Sequence, residues 1–288
     1  MNQIVNAMSV DVEDYFQVSA FDAVVSRADW PSLESRVVAN TERLLDLFDR
    51  TSVRSTFFVL GWVAEHFPAL VREIAARGHE IASHGYNHQL VYSISPAAFR
   101  EDVRSSKRLL EDLSGGPVRG YRAPSYSIVE KSLWALDVLI EEGYEYDTSI
   151  FPIHHDRYGI ANAERHGHVL KRAAGSLIEF PGSTVRLGGV NLPIGGGGYF
   201  RLLPYGWTRW GIERVNAVER QPVVFYLHPW EVDPDQPRFP VGRATRIRHY
   251  TGLASTLARL TQLVTTFRFD SVAAVIANRR LSSSSVAA

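Results

Sequence analysis

The chain has 288 residues, 45% hydrophobic and 22% charged, which is enough apolar material for a folded core and too little charge bias for a disordered chain. Lysine plus arginine total 31 and aspartate plus glutamate total 31, so no basic excess points to nucleic acid and no charged tail to a long solvated arm. Cysteine is absent, which excludes disulfides and thiolate metal sites and leaves histidine and carboxylate as the only strong metal ligands.

The opening residues, MNQIVNAMSVDVEDYF, carry neither a basic n-region nor an apolar h-region, so no signal peptide is read. No apolar run approaches the ~20 residues of a membrane helix. A soluble, cytoplasmic protein with no integral membrane segment is expected. Residues 6–12 form a strand that ends in acids. Residues 35–50 place Val38, Leu44, Leu45 and Phe48 at helical spacing. STFFVL (residues 55–60) is a strand, residues 62–77 a helix, and Gly78 its left-handed cap. A short strand at 80–83 leads into a histidine pair. Ser95-Pro96 opens a helix to about Leu113. Then come a strand at 120–123, a helix at 130–142 closed by Gly143, and strands at 144–150, 176–180, 223–227 and 268–272, with a helix at 251–266. Between 151 and 198 the pattern weakens. The Ser282–Ser285 tail is expected to fray.

Repeated β-then-α units predict a parallel sheet covered by helices. The reactive side chains fall just after strands: Asp11, Glu13 and Asp14; His84 and His88; Arg122; Asp147; His228. Barrels of this class build their sites at the carboxyl ends of strands, so these segments are expected to meet at one mouth. His84 and His88, in SHGYNH, are spaced to share one metal ion. One carboxylate with two histidines makes a three-ligand site with open positions, the pattern that suits catalytic zinc, and leaves a second carboxylate to act as base. His228 reads as a general acid or as a core histidine bonded to backbone. Arg122 reads as a guanidinium that fixes a catalytic carboxylate, or as a surface ion pair. Asp147 either orients His228 or caps a turn. Tyr126 and Trp230 are the candidate substrate contacts, among aromatics of which most belong to packing. The run Gly195–Gly198 lacks the features of a nucleotide loop and reads as a flexible or close-approach loop.

SVDVEDYF, SHGYNH, YRAPSY and FYLHPWE, in that order, resemble the polysaccharide deacetylase (NodB-homology) family, carbohydrate esterase family 4. GGGYFRLLPY and RHYTGL look like the C-terminal extension of its exopolysaccharide- and exosortase-associated branch. The resemblance implies a distorted, incomplete (β/α)7 TIM-like barrel, one domain over residues 1–288 with about 185–288 carrying the late strands and the extension. It implies Asp11 as base and Asp14 as the metal carboxylate, because the family uses aspartate there, with Glu13 the alternative. His84 and His88 map to the metal histidines, Arg122 to the arginine that orients the base, His228 to the general acid, and Asp147 loosely to the fourth motif. The implied reaction is removal of N-acetyl groups from amino sugars of a polysaccharide or lipid-linked glycan precursor, helped by a divalent metal, zinc by expectation, and by an oxyanion-binding N–H near Ser125 or Tyr126. The alternatives are a small-amide hydrolase on the same fold and a non-catalytic glycan-binding protein.

Overall fold

The computed structural model of the chain describes residues 4–279 and 281; the expected fraying at Ser282–Ser285 lies outside them. Its strands are β1 (Val5–Val12), β2 (Thr56–Val59), β3 (Glu80–Ser83), β4 (Gly120–Tyr121), β5 (Tyr146–Asp147), β6 (His168–Arg172), β7 (Gly175–Glu179), β8 (Thr184–Leu187), β9 (Val190–Pro193), β10 (Val224–Leu227) and β11 (Arg268–Asp270). The helices are α1 (Val37–Thr51), α2 (Gly61–His66), α3 (Pro68–Ala76), α4 (Pro96–Ser114), α5 (Trp134–Glu141), α6 (Gly197–Leu202), α7 (Tyr205–Arg214), α8 (Arg243–Tyr250), α9 (Leu253–Thr266) and α10 (Val272–Asn278). The main sheet runs β10-β1-β2-β3-β4-β5-β7-β6, with β11 also on β1. Every pairing in it is parallel except the β6–β7 hairpin. None of the described helices is long and apolar enough to cross a membrane.

The sheet curls without closing by strand pairing, as expected of an incomplete barrel. Residues 182–196 bridge the gap between β7 and β10. Gly182 N–H bonds Ile150 O at 2.9 Å, Ser183 Oγ accepts from Val224 N–H at 2.7 Å, and Tyr226 N–H bonds Gly195 O at 2.8 Å. The glycine run is thus a close-approach segment. A Cβ on Gly196, where φ is 119°, would lie 1.9 Å from Tyr226 O, so only glycine fits.

Two apolar layers sandwich the sheet. Met8, Val10 and Val12 of β1 pack outward with the helices. Ala7, Phe58, Ala82, Tyr146 and Val224 point inward, and Val272, Val275 and Ile276 of α10 join them. That helix is tied at its start by Val272 N–H to Thr56 Oγ1 at 2.8 Å and Ala273 N–H to Glu80 at 3.1 Å.

Several expected boundaries shift. The helix expected over 62–77 is two helices that break at Phe67, because Pro68 has no N–H for the ladder and its ring crowds the preceding turn. The strand expected over 144–150 pairs as a strand only at Tyr146–Asp147, after which the Ser149 and Ile150 N–H groups turn to the Asp147 and Glu179 carboxyls. The weakly patterned stretch holds the two hairpins, β6–β7 and β8–β9.

Candidate active site

Strand alternation builds the first half of the site. Ser9, Asp11 and Glu13 lie two residues apart, so their side chains share the barrel interior while Val10 and Val12 face the helices. Arg122, at the end of β4, reaches this row fully buried. Its Nη1 donates to Asp11 Oδ1 at 2.6 Å and to Ser9 Oγ at 2.9 Å, and its Nε donates to Thr148 Oγ1 at 2.6 Å. Below it the guanidinium rests 4.2 Å above the Phe58 ring. Burial disfavours the guanidinium charge, but Asp11 together with Tyr126 and Tyr226 outweighs this, and the Arg122 pKa is raised. The bond to Oδ1 leaves Asp11 Oδ2 turned to the mouth, 3.9 Å from His228 Nε2.

Glu13, His84 and His88 converge, with one potential ligand atom from each lying within 4.8 Å of the others. His84 Nδ1 bonds the Arg122 carbonyl at 2.8 Å; since a carbonyl only accepts, Nδ1 carries the proton and Nε2 keeps its lone pair. Burial and the neighbouring His88 push the His84 pKa down to about 4. His88 sits at φ 51°, a left-handed bend that returns the chain toward His84, and Asp102 holds the bend through Tyr86 N–H at 2.9 Å. Glu13 Oε2 lies 2.7 Å from His88 Nε2, and Glu13 Oε1 accepts from the Trp230 indole N–H at 3.1 Å. Burial works to raise the Glu13 pKa, but His88 and His228 hold it well below the usual carboxylate range.

These residues fit a divalent ion. Asp11 has Arg122 and Glu231 has Arg201, whereas Glu13 has no guanidinium: imidazoles and an indole N–H surround it, and its Oε2 accepts no hydrogen bond. With the His228 imidazole 3.6 Å from Oε1 on one side, a Glu13 oxygen and one nitrogen of each of His84 and His88 lie within 4.8 Å of one another, a donor set that a divalent ion can take.

Asp14, expected as the metal carboxylate, does not join the triad; Glu13 does. One residue further along the alternation, Asp14 turns the other way and caps α1. Its Oδ2 accepts from Ser35 Oγ at 2.6 Å, Arg36 N–H at 2.9 Å and Val37 N–H at 3.2 Å, and Oδ1 from Tyr15 N–H at 3.0 Å.

Asp147 does not orient His228 either. It accepts from Ser149 Oγ at 2.5 Å and Ser149 N–H at 3.1 Å and is bonded to Glu179; burial pushes both carboxyls up, Glu179 the further. Ser149 Oγ in turn accepts Ala123 N–H at 2.8 Å, so Asp147 braces the loop beside Arg122.

The acid on His228 is Glu231, which sequence reasoning passed over. Its Oε2 accepts His228 Nδ1 at 3.0 Å and His228 N–H at 2.9 Å, a capping-box turn, while Arg201 Nε of α6 donates to Oε1 at 2.5 Å. The signal was present as an acid three residues after His228 with Pro229 between. Burial opposes the imidazolium, but the Glu13 and Glu231 carboxylates win and raise the His228 pKa to about 9.

Tyr126 lines the mouth with its hydroxyl buried and unpartnered, and both it and Ser125 adopt left-handed φ, 53° and 52°. Its N–H is engaged by Ala123 O at 3.1 Å and so does not face a ligand. Trp230 borders the pocket but offers no sugar platform. It is 4% exposed and already stacked on His228 (5.0 Å) and His249 (4.2 Å). The resulting pocket, about 140 Å³, is walled by Asp11, Glu13, His88, Tyr126, Tyr226 and His228.

An open parallel barrel that gathers carboxylates, imidazoles and an arginine at the carboxyl ends of its strands falls among the α/β barrels that carry their sites there. More particularly, residues 21–145 match the family described as Polysaccharide deacetylase, the NodB-homology domain of family 4 carbohydrate esterases, and residues 148–277 match the Domain of unknown function (DUF3473), which fits a C-terminal extension. A peptidoglycan-N-acetylglucosamine deacetylase of Bacillus cereus is 30% identical over 132 residues, 42% of this chain. The chain spans about half the length of that relative (46%). Among solved structures, a putative polysaccharide deacetylase from Mycobacterium smegmatis aligns with TM-score 0.55 at 20% identity over 92% of this chain and 94% of that one. Puue allantoinase aligns with TM-score 0.61 at 14% identity over 93% and 87%. At these identities the two structures establish the shared fold.

Proposed function

We propose that this chain hydrolyses the N-acetyl group of an amino sugar in a glycan or lipid-linked glycan precursor. The observation that carries the reading is the facing of Asp11 and His228 across a small pocket, one braced by Arg122 and the other by Glu231, beside the Glu13–His84–His88 triad. The names of the curated relatives support the substrate class.

Asp11 is the base. Arg122 pins Oδ1, so Oδ2 takes a proton from the attacking water. The water oxygen bonds the acetyl carbon; with the Tyr126 N–H engaged by Ala123 O, the Ser125 N–H is the backbone donor assigned to the oxyanion in this reading. His228 carries its proton at neutral pH and gives it from Nε2 to the departing amine as the C–N bond breaks, while Glu231 holds Nδ1. Acetate and free amine leave, and proton exchange with solvent restores Asp11 and His228. A divalent ion held by Glu13, His84 and His88 would supply carbonyl polarisation and a more acidic water. Zinc suits this thiol-free set of one carboxylate and two imidazoles.

The pocket has room for a small acyl group and opens toward neighbouring grooves, which suits a glycan presenting one acetamido group better than an enclosed small cyclic amide. Acetate release from N-acetylated oligosaccharides, before and after chelation and with zinc added back, tests the reading. Release from no substrate, or release indifferent to chelation, would overturn it.

A further inference from the structure

Next to the catalytic pocket lies a second groove of about 350 Å³, and Tyr158 lines both. The groove is cationic. Lys131 and Arg157 line it, with Lys131 Nζ 4.3 Å over the Tyr92 ring. Arg248 of α8 lies outside the lining but near enough for its charge to act on both His155 and Tyr158, which stack on each other at 3.9 Å. Arg157 also touches the catalytic side directly. Its Nη2 donates to Ser19 Oγ at 3.0 Å, and that hydroxyl lies 2.9 Å from Ser125 Oγ in the pocket wall. The opposing charge in the lining is Asp156, which faces solvent; His155 Nδ1 lies 2.9 Å from it but accepts the Arg157 N–H at 3.2 Å, and burial lowers the His155 pKa, so one carboxylate stands against the three cations.

These cations differ from the arginines that ion pairs hold, although other exposed arginines such as Arg186 and Arg243 also lie in no ion pair among the described residues; what is particular here is that three gather around one groove. The chain is neutral overall, with 31 cationic and 31 acidic side chains. Arg36, Arg77, Arg104, Arg165, Arg172 and Arg209 each pair with a carboxylate, as do the buried Arg122 and Arg201. Among the described residues, no carboxylate lies within ion-pair distance of Lys131, Arg157 or Arg248. Exposed cations left unpaired around one concave mouth create a local positive potential that concentrates anions.

From this placement, which rests on the deacetylase reading of the adjoining pocket, we infer that the groove is an anion subsite. The favoured substrate carries a carboxylate or phosphate group within about one sugar of the N-acetyl group it loses. A uronate in the polymer and the phosphate linking a precursor to its lipid carrier present the same anionic oxygens, and the subsite reads that shared chemistry.

The test compares three substrates of similar size: a neutral N-acetylglucosamine oligosaccharide, an oligosaccharide alternating N-acetylglucosamine with glucuronate, and N-acetylglucosamine oligosaccharide bearing a short-chain prenyl diphosphate. For the metal-loaded protein, kcat/KM for acetate release should favour at least one anionic substrate by about tenfold at low salt, falling to about twofold in 0.5 M salt as screening sets in. In the K131Q/R248Q variant the anionic-to-neutral ratio should fall toward one. Which of the two anionic substrates is preferred distinguishes polymer from precursor. Calorimetry of the same three ligands with metal-free protein reads the subsite without turnover. Absence of acetate from all three would therefore refute the deacetylase reading alone. Equal binding of neutral and anionic ligands, or a ratio unchanged in K131Q/R248Q, would overturn the subsite.

Discussion

Glu13 and Asp14 are adjacent acids with opposite assignments, and exchanging each carboxylate for its amide should separate them. In Asp14→Asn the amide keeps one oxygen toward Ser35, Arg36 and Val37, but its NH2 then faces Tyr15 N–H, and the charge-assisted bonds become neutral ones. Charge-assisted bonds are about twice as strong as neutral ones, and a lost helix cap costs roughly 1 kcal/mol, so about 2 kcal/mol of stability should go. With an unfolding entropy of about 2.1 cal/mol/K per residue, a chain this long loses roughly 3 °C in Tm for that amount. Metal linkage should be untouched. Zinc at 100 times its Kd stabilises wild type by about 2.7 kcal/mol, and Asp14→Asn should show the same upward Tm shift of roughly 4 to 5 °C. Glu13→Gln should behave the other way, with a small effect on the metal-free Tm and almost no shift on adding zinc, because the one ligand carboxylate without a guanidinium partner is gone. Differential scanning calorimetry with and without zinc, and metal content by mass spectrometry, reads both. A zinc shift that survives in Glu13→Gln and disappears in Asp14→Asn would refute the assignment.

Glu231→Gln removes a carboxylate 3.0 Å from His228 Nδ1 that helps hold the imidazole near 9, so the His228 pKa should fall by about one to three units. The protonated form is then lost at lower pH, and the alkaline limb of the kcat profile should move acidward; a limb that stays in place argues against His228 as the acid. Gly196→Ala forces a Cβ to 1.9 Å from Tyr226 O at φ 119° and should cost more than about 4 kcal/mol, read as lost soluble yield or Tm, whereas Gly116→Ala meets nothing within 4 Å and should be near neutral. His79 is held down to about 4 by burial beside Arg54, and its Nδ1 accepts Ser55 N–H at 3.2 Å, a bond that protonation of Nδ1 must break. Because the folded pKa lies below the ordinary 6.5, the unfolded chain binds the extra proton first: this contribution to stability is whole above pH 6.5 and declines as pH falls toward 4. Urea unfolding across that range should therefore fall more steeply for wild type than for His79→Gln, and equal slopes would exclude the effect.

The legible parts of this molecule are those where a local rule and the fold agree. β1, β3, β4 and β10 lead straight into reactive side chains, and the carboxyl-end rule brings Asp11, His84, His88, Arg122 and His228 to one mouth. Period-two alternation also bears on the acidic cluster. Ser9, Asp11 and Glu13 share a face and Asp14 does not, but a family preference for aspartate outweighed that geometry in the reading of the sequence. Asp147 and Glu231 show a different limit. Each follows a strand and each is an acid, and what separates them is the partner brought from far along the chain, Glu179 in one case and Arg201 in the other. No spacing in the sequence encodes that meeting. The left-handed φ values at His88, Ser125 and Tyr126 are likewise invisible, since none is glycine and each is imposed by the loops around it.

The division of the site along the chain explains why the C-terminal extension is more than an appendage. Asp11 and Glu13, the proposed base and metal carboxylate, lie on or just after β1, ahead of the residues that match the deacetylase family; the histidine pair and Arg122 lie within that match; His228, Glu231 and Arg201 come from the region after it. β1 joins the parts. It pairs with β2 at Ser9–Val12, and β10 and β11 from the extension pair with it at Ala7–Val10 and Val5–Ala7. The register of β10 on β1 sets the reach from Asp11 to His228. The close packing of Gly195–Gly197 on Tyr226 then delivers α6, whose Arg201 secures Glu231. A proton acceptor and a proton donor from opposite ends of the chain can hold a fixed separation only if the strands carrying them are hydrogen-bonded neighbours. In this fold that requirement makes the extension part of the barrel wall and of the candidate catalytic machinery at once.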